Sequence, residues 1–221
     1  MSQRWVWKVF AVGVFACSLA WAEGQVKPLP APAQDMALAR SATPQTAVFA
    51  GGCFWGMEAV FEHVTGVVGV VSGYAGGEAQ TANYEAVSGG KTGHAEAVRI
   101  TYDPAQITYG QLLEIFFAVA HDPTQWDRQG PDTGPQYRSE IFTTSTEQAR
   151  IAQGYIAQLT RAQVYAEPIV TRVSPLPAFY EAEAYHQDFA AHHPNHGYIL
   201  RYDRPKVEHL KQAFPARYRE E

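Results

Sequence analysis

The chain has 221 residues, and its 22 acidic and 17 basic side chains give a formal net charge of −5. Because the acidic excess is mild and no basic cluster is present, the composition argues against a nucleic-acid partner. The length suits a single domain with a substantial hydrophobic core, preceded by an N-terminal leader.

The first 22 residues have the pattern of an exported signal peptide. Arg4 and Lys8 form a short basic start, and the apolar run 9–22 is too short to span a membrane. Ala20-Trp21-Ala22 has the small-x-small form of a signal-peptidase site. The sequence therefore predicts a signal peptide over 1–22 and a periplasmic or secreted protein.

Two other interpretations of the leader stay open, a membrane anchor and an apolar arm. A lipoprotein anchored through Cys17 is disfavoured, because Phe15 stands where a small residue is expected. The next segment, 23–45, is rich in Pro, Ala and Gln and has no apolar period, which predicts a linker acting as a tether. The folded domain is then expected to occupy 46–221.

Strands and helices alternate along this domain. Apolar alternation and turn residues predict strands over 46–50, 67–77, 94–103, 138–143 and 168–173. Apolar spacing and cap residues predict helices that begin near Cys53, after Thr108 and after Ser145, and a further helix over 177–192 before an irregular tail. We expect an α/β (α+β) fold, a two-layer sandwich whose mixed sheet carries helices mainly on one face, in a ferredoxin-like arrangement.

The stretch GGCFWG contains the most informative side chain, the thiol of Cys53. Once the leader is removed it is the only thiol, which makes it either inert in a core or reactive. At a strand-to-helix turn, the unpaired N–H groups and dipole of the helix start favour the thiolate. Gly51 and Gly52 are expected to keep an approach to the sulfur open, with Phe54 and Trp55 as an apolar wall. A buried structural cysteine is the alternative.

Glu96 is the candidate acid. It alternates in phase with the apolar residues of its strand, so its carboxyl is expected on the core face, where burial raises the pKa and keeps it protonated. A register slip or an edge strand would instead leave it in water. Two loops add polar groups, Tyr84 in one and Asp132 with Tyr137 in the other. A thiolate, a neutral acid, phenols and an apolar pocket together suit attack on a sulfoxide sulfur.

Five segments strengthen this hypothesis: GGCFWG, YAGG, TGHAEAVRITYDP, TGPQYRS and FYEAEAYHQDF. Their order and spacing closely resemble those of A-class peptide methionine sulfoxide reductases, over about 46–194. The resemblance implies thiol-dependent reduction of the S sulfoxide of peptide-bound and free methionine, which repairs oxidised proteins. We expect no cofactor and no metal.

The resemblance also assigns roles. It implies that Cys53 attacks the substrate sulfur and becomes a sulfenic acid, while Glu96 protonates or hydrogen-bonds the sulfoxide oxygen. The resemblance further implies that Tyr84, Tyr137 and Asp132 polarise that oxygen at the polar end of the site. It places Phe54 and Trp55 around the methyl group, and Gly52 and His186 elsewhere in the substrate site. From His186 we expect a supporting hydrogen bond.

One departure from the family concerns recycling. Many relatives carry further cysteines near the C-terminus, whereas this tail has none, and Ser88 stands where some relatives place another cysteine. We therefore expect an external thiol, from a thioredoxin-like or glutaredoxin-like protein or a small molecule, to reduce the sulfenic acid. The remaining expectations are oxidised proteins and peptides as partners, a monomer, and no stable membrane insertion after removal of the leader.

Three other functions stay open. A Cys-His hydrolase or acyl transferase would pair Cys53 with His186 or His94, and would need an oriented base and an oxyanion hole. A metal-binding module would draw on four histidines that lack a recurring zinc spacing: His186, His192, His193 and His196. A non-catalytic chaperone or substrate-binding domain would keep its activity without the thiol.

Overall fold

The computed structural model describes residues 29–41 and 43–220. The predicted signal peptide and Cys17 lie outside these residues. Within them, no helix combines the length and the apolar character needed to cross a membrane.

The strands and helices interleave as the sequence predicts. The strands are β1 (Gln45–Gly51), β2 (Val67–Ala75), β3 (Ala95–Tyr102), β4 (Arg128–Gln129), β5 (Asp132–Thr133), β6 (Ser139–Thr143), β7 (Arg172–Pro175) and β8 (Phe179–Glu181). The α-helices are α1 (Phe54–Glu62), α2 (Tyr84–Ser88), α3 (Tyr109–Ile115), α4 (Thr146–Arg161), α5 (Phe189–His192) and α6 (Arg204–Ala213). Three 3-10 turns (Ala79–Thr81, Pro135–Tyr137, Ala184–His186) and two π-helical segments (Phe116–Ala120, Ile199–Asp203) complete the set.

Six strands form one sheet in the order β7-β6-β1-β3-β2-β8. Its central part, β6-β1-β3-β2, is antiparallel throughout, with α1 connecting β1 to β2 and α3 lying between β3 and β6. This is the strand order of a ferredoxin-like sheet, and it confirms the predicted fold. β7 adds parallel to β6 and β8 adds antiparallel to β2, so the sheet is mixed.

The main core lies between one face of the sheet and the helices. The ring of Phe49 on β1 lies 5.8 Å from Phe61 of α1, 6.0 Å from Tyr109 of α3 and 4.9 Å from Phe116. The opposite face carries a smaller cluster that includes Phe142 and is covered by loop and strand side chains such as Leu176. The helices therefore cover mainly one face, as expected.

Two predicted helix starts are present. Thr108 caps α3 with a complete capping box, in which its hydroxyl and the Gln111 side chain each accept a backbone N–H. Ser145 caps α4 by accepting the N–H of Gln148 at 3.1 Å. The Gln148 amide instead accepts from Thr144 N at 2.9 Å, so the second half of that box is not formed.

The C-terminal third corrects three predictions. The strand predicted over 168–173 begins only at Arg172. The helix predicted over 177–192 is replaced by β8, a 3-10 turn and the short α5, because Phe179–Glu181 pairs with the free edge of β2. The tail is not irregular either, since it forms a π-helical segment and α6, which contacts α1 and buries Leu210 in the core.

The described part of the predicted linker is docked on the domain. The Asp35 carboxylate accepts hydrogen bonds from Thr108 Oγ1 and from Gly110 N at 2.7 Å, at the start of α3. Tyr155 of α4 donates to the carbonyl of Pro30 at 2.9 Å. Residues 29–41 therefore do not act as a free tether, because the helix start of α3 supplies donors that hold the segment in place.

Candidate active site

Cys53 lies between β1 and α1, at the N-cap position of α1, as a free cysteine that is partly exposed as a residue although its sulfur is buried. The predicted helix start is confirmed, but the predicted role of the glycines is wrong. A Cβ on Gly52, whose φ is +97°, would lie 2.5 Å from Gln129, and one on Gly51 would lie 3.0 Å from His121. The glycines allow a left-handed turn and close packing. They do not open a path to the sulfur.

Glu96 is buried on β3, at 2 % exposure, and its Oε2 accepts the backbone N–H of Phe54 at 3.1 Å. Burial raises the pKa of this carboxyl to about 8, although the bond from Phe54 lowers it. The predicted burial is confirmed, and the carboxyl is mostly protonated at neutral pH. The neutral Glu96 carboxyl is therefore held by Phe54, the first residue of α1, directly after Cys53.

The ionisation state predicted for Cys53 is wrong for the resting protein. Burial of the sulfur raises its pKa well above the ordinary value, and the carboxylates of Glu96 and Asp203 raise it further. The Trp55 backbone N–H and the ammonium of Lys206 act in the opposite direction. Desolvation and the two acids thus outweigh the effect of the helix start, so the resting Cys53 is a neutral thiol.

The predicted polar residues come together around these two groups. Tyr84 begins α2, Tyr137 ends a 3-10 turn, and Asp132 begins β5. Burial raises the pKa of both tyrosines, and the charges of Glu96, Asp132 and Cys53 raise both further, so the phenols face the thiol and the acids. The site therefore presents two phenols beside a neutral carboxyl.

The aromatic side of the site contains more rings than the predicted pair of Phe54 and Trp55. Trp55 lies parallel to Phe189 of α5, with ring centroids 3.8 Å apart, and its indole N–H donates to His186 Nδ1 at 3.2 Å. The His186 ring lies 5.0 Å from Phe54 and 4.6 Å from Tyr84. Phe54 is almost fully buried and forms the inner wall, whereas the partly exposed Trp55 faces outward. His186 thus positions the indole through a hydrogen bond whose partner the sequence analysis did not name.

The sequence analysis missed two residues of the site, Tyr198 and Asp203. The Tyr198 hydroxyl donates to Asp132, and its ring meets Trp55 edge-on with centroids 6.0 Å apart. Asp203 is buried near Cys53 and pairs with Lys206. A signal for this segment was present, since Asp203-Arg204-Pro205 has an acid before a helix-starting proline.

The described residues do not assemble the alternative sites. Both ring nitrogens of His94 are engaged, one by Gly77 N at 3.2 Å and the other by the Glu78 carbonyl at 3.0 Å, and His186 Nδ1 receives the Trp55 indole. In each histidine the nitrogen that could accept a proton already accepts a hydrogen bond from another group, so neither is oriented as the base of a Cys-His hydrolase. In 29–41 and 43–220, the one group of three candidate metal-ligand side chains is acidic and contains no histidine: Glu58, Glu62 and Asp188.

Comparison with known proteins agrees with this geometry. The family model described as peptide methionine sulfoxide reductase matches residues 45–218. A "Peptide methionine sulfoxide reductase MsrA 2" of Mesorhizobium japonicum is 57% identical over 176 residues, which cover 80% of this chain and 90% of that protein. The protein of the same description from Synechocystis sp. is 56% identical over 170 residues, covering 77% and 79% of the two chains.

Solved structures give the same result. The reduced form of Mxr1 from Saccharomyces cerevisiae matches with a TM-score of 0.66 and 32% identity, over 74% of this chain and 92% of that chain. Methionine sulfoxide reductase A of Corynebacterium diphtheriae matches with a TM-score of 0.60 and 35% identity, over 77% and 85%. The chain therefore belongs to the peptide methionine sulfoxide reductase family.

Proposed function

We propose that this protein reduces the S sulfoxide of methionine, in oxidised proteins and peptides and as the free amino acid, with Cys53 as nucleophile and Glu96 as general acid. The observation that carries the proposal is the Glu96 carboxyl, which is neutral near pH 7 and fixed by the Phe54 N–H at 3.1 Å beside the thiol. A sulfoxide sulfur becomes electrophilic when its oxygen is protonated or strongly hydrogen-bonded, and this carboxyl supplies that proton.

The first half-reaction moves one oxygen atom and two electrons. The Cys53 sulfur attacks the substrate sulfur and forms an S–S bond to it, the S–O bond of the sulfoxide breaks, and the oxygen becomes bonded to the Cys53 sulfur as the S–S bond breaks, which leaves methionine and Cys53 sulfenic acid. Glu96 gives a proton to the oxygen during the attack, and the proton released by the thiol replaces it. The substrate sulfur is reduced by two electrons, and the cysteine sulfur is oxidised by two.

The remaining residues of the site bind the two ends of the sulfoxide group. The phenols of Tyr84 and Tyr137 donate hydrogen bonds to its oxygen, and the Asp132–Tyr198 contact orders this polar end. Trp55, fixed by Phe189 and His186, covers the methyl group. A sulfoxide sulfur is chiral, so an oxygen site and a methyl site at fixed positions accept one epimer.

The second half-reaction needs a thiol from outside the chain. Cys53 is the one cysteine within the described residues, and the other cysteine of the sequence, Cys17, belongs to the predicted signal peptide. An external thiol attacks the sulfenic acid and releases water, which leaves a mixed disulfide at Cys53. A second thiol then releases the free enzyme and a disulfide of the donor. A thioredoxin-like protein, a glutaredoxin-like protein or a small thiol has this chemistry.

The test is reduction of a peptide that contains each single epimer of methionine sulfoxide, with dithiothreitol as donor. The wild type is expected to consume only the S epimer, and Cys53→Ser to lose turnover while it still binds the peptide. Ser88→Ala, which changes an exposed hydroxyl of α2, is the matched control and should retain full activity. Equal turnover of both epimers, or turnover by Cys53→Ser, would overturn the proposal.

A separate proposal concerns location. The basic start, the short apolar run and the Ala-Trp-Ala site of residues 1–22 support export and cleavage. N-terminal sequencing of the protein recovered from the periplasmic fraction should then begin at Glu23. Recovery of the intact N-terminus in the cytoplasmic fraction would contradict export.

A further inference from the structure

Asp203 is a buried acid whose side chain has an ion-pair partner but no hydrogen-bond partner in the part of the chain that the structure describes. Its exposed fraction is 0%, and neither Oδ1 nor Oδ2 accepts a hydrogen bond within the described residues. Its ion-pair partner is Lys206, three residues later, with Nζ 3.6 Å from Oδ1 and the lysine side chain 19% exposed. A buried carboxylate without hydrogen bonds is costly, so its position requires a physical explanation beyond helix capping, in which the side chain does not take part.

The pair is packed on the first turn of the helix that begins beside the nucleophile. A Cβ added to Gly56 would overlap the Asp203 carboxylate and lie 2.8 Å from Lys206 Nζ. Gly56 is the third residue of α1, one turn from Cys53. The absence of a side chain at this position therefore lets a negative and a positive charge approach the helix start, and both act on the Cys53 sulfur.

We propose that Asp203 and Lys206 are positioning residues that control the ionisation of Cys53, the carboxylate holding the resting thiol in its protonated form and the ammonium limiting that effect. The inference rests on the function proposed above and deepens it. Since the thiolate is the form that reacts with peroxide, a protonated resting thiol is oxidised by it more slowly. The tail thus sets the reactivity of a cysteine that has no partner cysteine within the described residues.

Other charged and titratable groups also face the sulfur. Glu96 acts on it from β3, and three phenols interact with it, those of Tyr84, Tyr137 and Tyr198, which Asp132 of β5 also faces. Asp132 also raises the pKa of Asp203, whose burial brings it to about 6, so the Asp203 carboxylate is ionised where Cys53 titrates. The substitutions below leave these other groups in place.

The test is the rate of Cys53 alkylation by iodoacetamide in the full-length protein, measured from about pH 6 to about pH 10. Asp203→Asn should lower the pKa of the thiol and accelerate alkylation about tenfold at each pH of this range, where the rate follows the thiolate fraction. Lys206→Gln should raise the apparent pKa and slow alkylation. Two exposed residues of α6 provide matched controls, Glu208→Gln and Lys211→Gln, and neither should shift the profile.

Opposite shifts distinguish a charge effect from loosening of the fold, because loosening would expose the sulfur and accelerate alkylation in both variants. Shifts in the same direction, or unchanged profiles, would overturn the inference. If Asp203→Asn fails to fold, the upward shift in the partly exposed Lys206→Gln still decides the outcome. The assay contains no sulfoxide, so its failure is independent of failure of the proposed function.

Discussion

The backbone N–H of Phe54 donates a hydrogen bond to Glu96 Oε2 at 3.1 Å, across 42 positions of sequence. This contact joins the first residue of α1 to the middle of the sheet. Because the donor follows Cys53 directly, it fixes the acid relative to the nucleophile without a side chain between them. The separation of the two reacting groups is therefore set by the β1–α1 turn and by the register of β3.

Replacing Glu96 with Gln should slow sulfoxide reduction by about 10²–10⁴-fold, the usual contribution of a positioned proton donor. The wild-type rate should also fall as pH rises through about 8, where the carboxyl loses its proton, and the variant should lack this decline. The measurement is kcat/KM against pH for both proteins. Glu85→Gln, at an exposed position of α2, is the control. A variant that keeps the wild-type rate would refute the role of Glu96 as acid.

The same substitution should stabilise the fold at alkaline pH. The pKa of Glu96 is about 8 in the folded state against 4.5 in the reference state, so below 4.5 both states are protonated and nothing is lost. Between these values the unfolded chain releases a proton that the folded protein keeps, so stability falls as pH rises. Glu96→Gln removes this penalty, on the order of a few kcal/mol at about pH 9.

Urea unfolding at about pH 5 and about pH 9 measures this difference. The gain in the free energy of unfolding should be larger at the higher pH. An equal gain at both pH values would show that the effect does not come from ionisation of Glu96.

Two glycine substitutions should change stability in opposite directions. Gly56→Ala places a methyl group against Asp203 and Lys206, and overpacking of this kind costs about 1–3 kcal/mol. Gly154→Ala, inside α4, meets Gln34 Oε1 at an ordinary contact distance of 3.7 Å and should stabilise the helix by about 0.5–1 kcal/mol. Thermal unfolding of the two variants checks the prediction. A neutral Gly56→Ala would mean that the Asp203 side chain moves away freely.

Removing the imidazole of His186 should weaken substrate binding more than chemistry. His186→Ala leaves the Trp55 indole N–H without its acceptor and releases one side of the ring that covers the methyl group. We expect KM to rise several-fold with a smaller change in kcat, measured separately. His192→Ala, at an exposed position of α5, is the matched control. A fall in kcat alone would instead place His186 in the chemical step.

The predictions that succeeded rest on local patterns. The strict alternation of β3 correctly placed Glu96 on the buried face, and the strand-glycine-helix pattern placed Cys53 at the start of α1. The ferredoxin-like strand order follows from the same elements. Two β-α-β units joined by a hairpin can form a sheet in only a few strand orders.

The predictions that failed depend on contacts between remote segments. The side chains that fill the space beside Gly51 and Gly52 come from His121 and Gln129, more than 60 residues away along the chain, so the glycines alone could not show whether the path was open. Burial of the Cys53 sulfur outweighed the helix start for the same reason, since Asp203 arrives from the tail. Phe179–Glu181 lies in the segment 177–192 that was predicted as a helix, but it pairs with the edge of β2.

The dependence of the site on Tyr198 and Asp203 has a consequence for biosynthesis. Cys53 and Glu96 are translated early, whereas Tyr198, which orders Asp132, and Asp203, which packs on α1, leave the ribosome near the end of the chain. A nascent polypeptide thus carries Cys53 before the tail can adjust its ionisation or complete the substrate site. Catalytic competence is therefore acquired late in synthesis, and proteolytic loss of the segment that contains Tyr198 and Asp203 would return the enzyme to that immature condition.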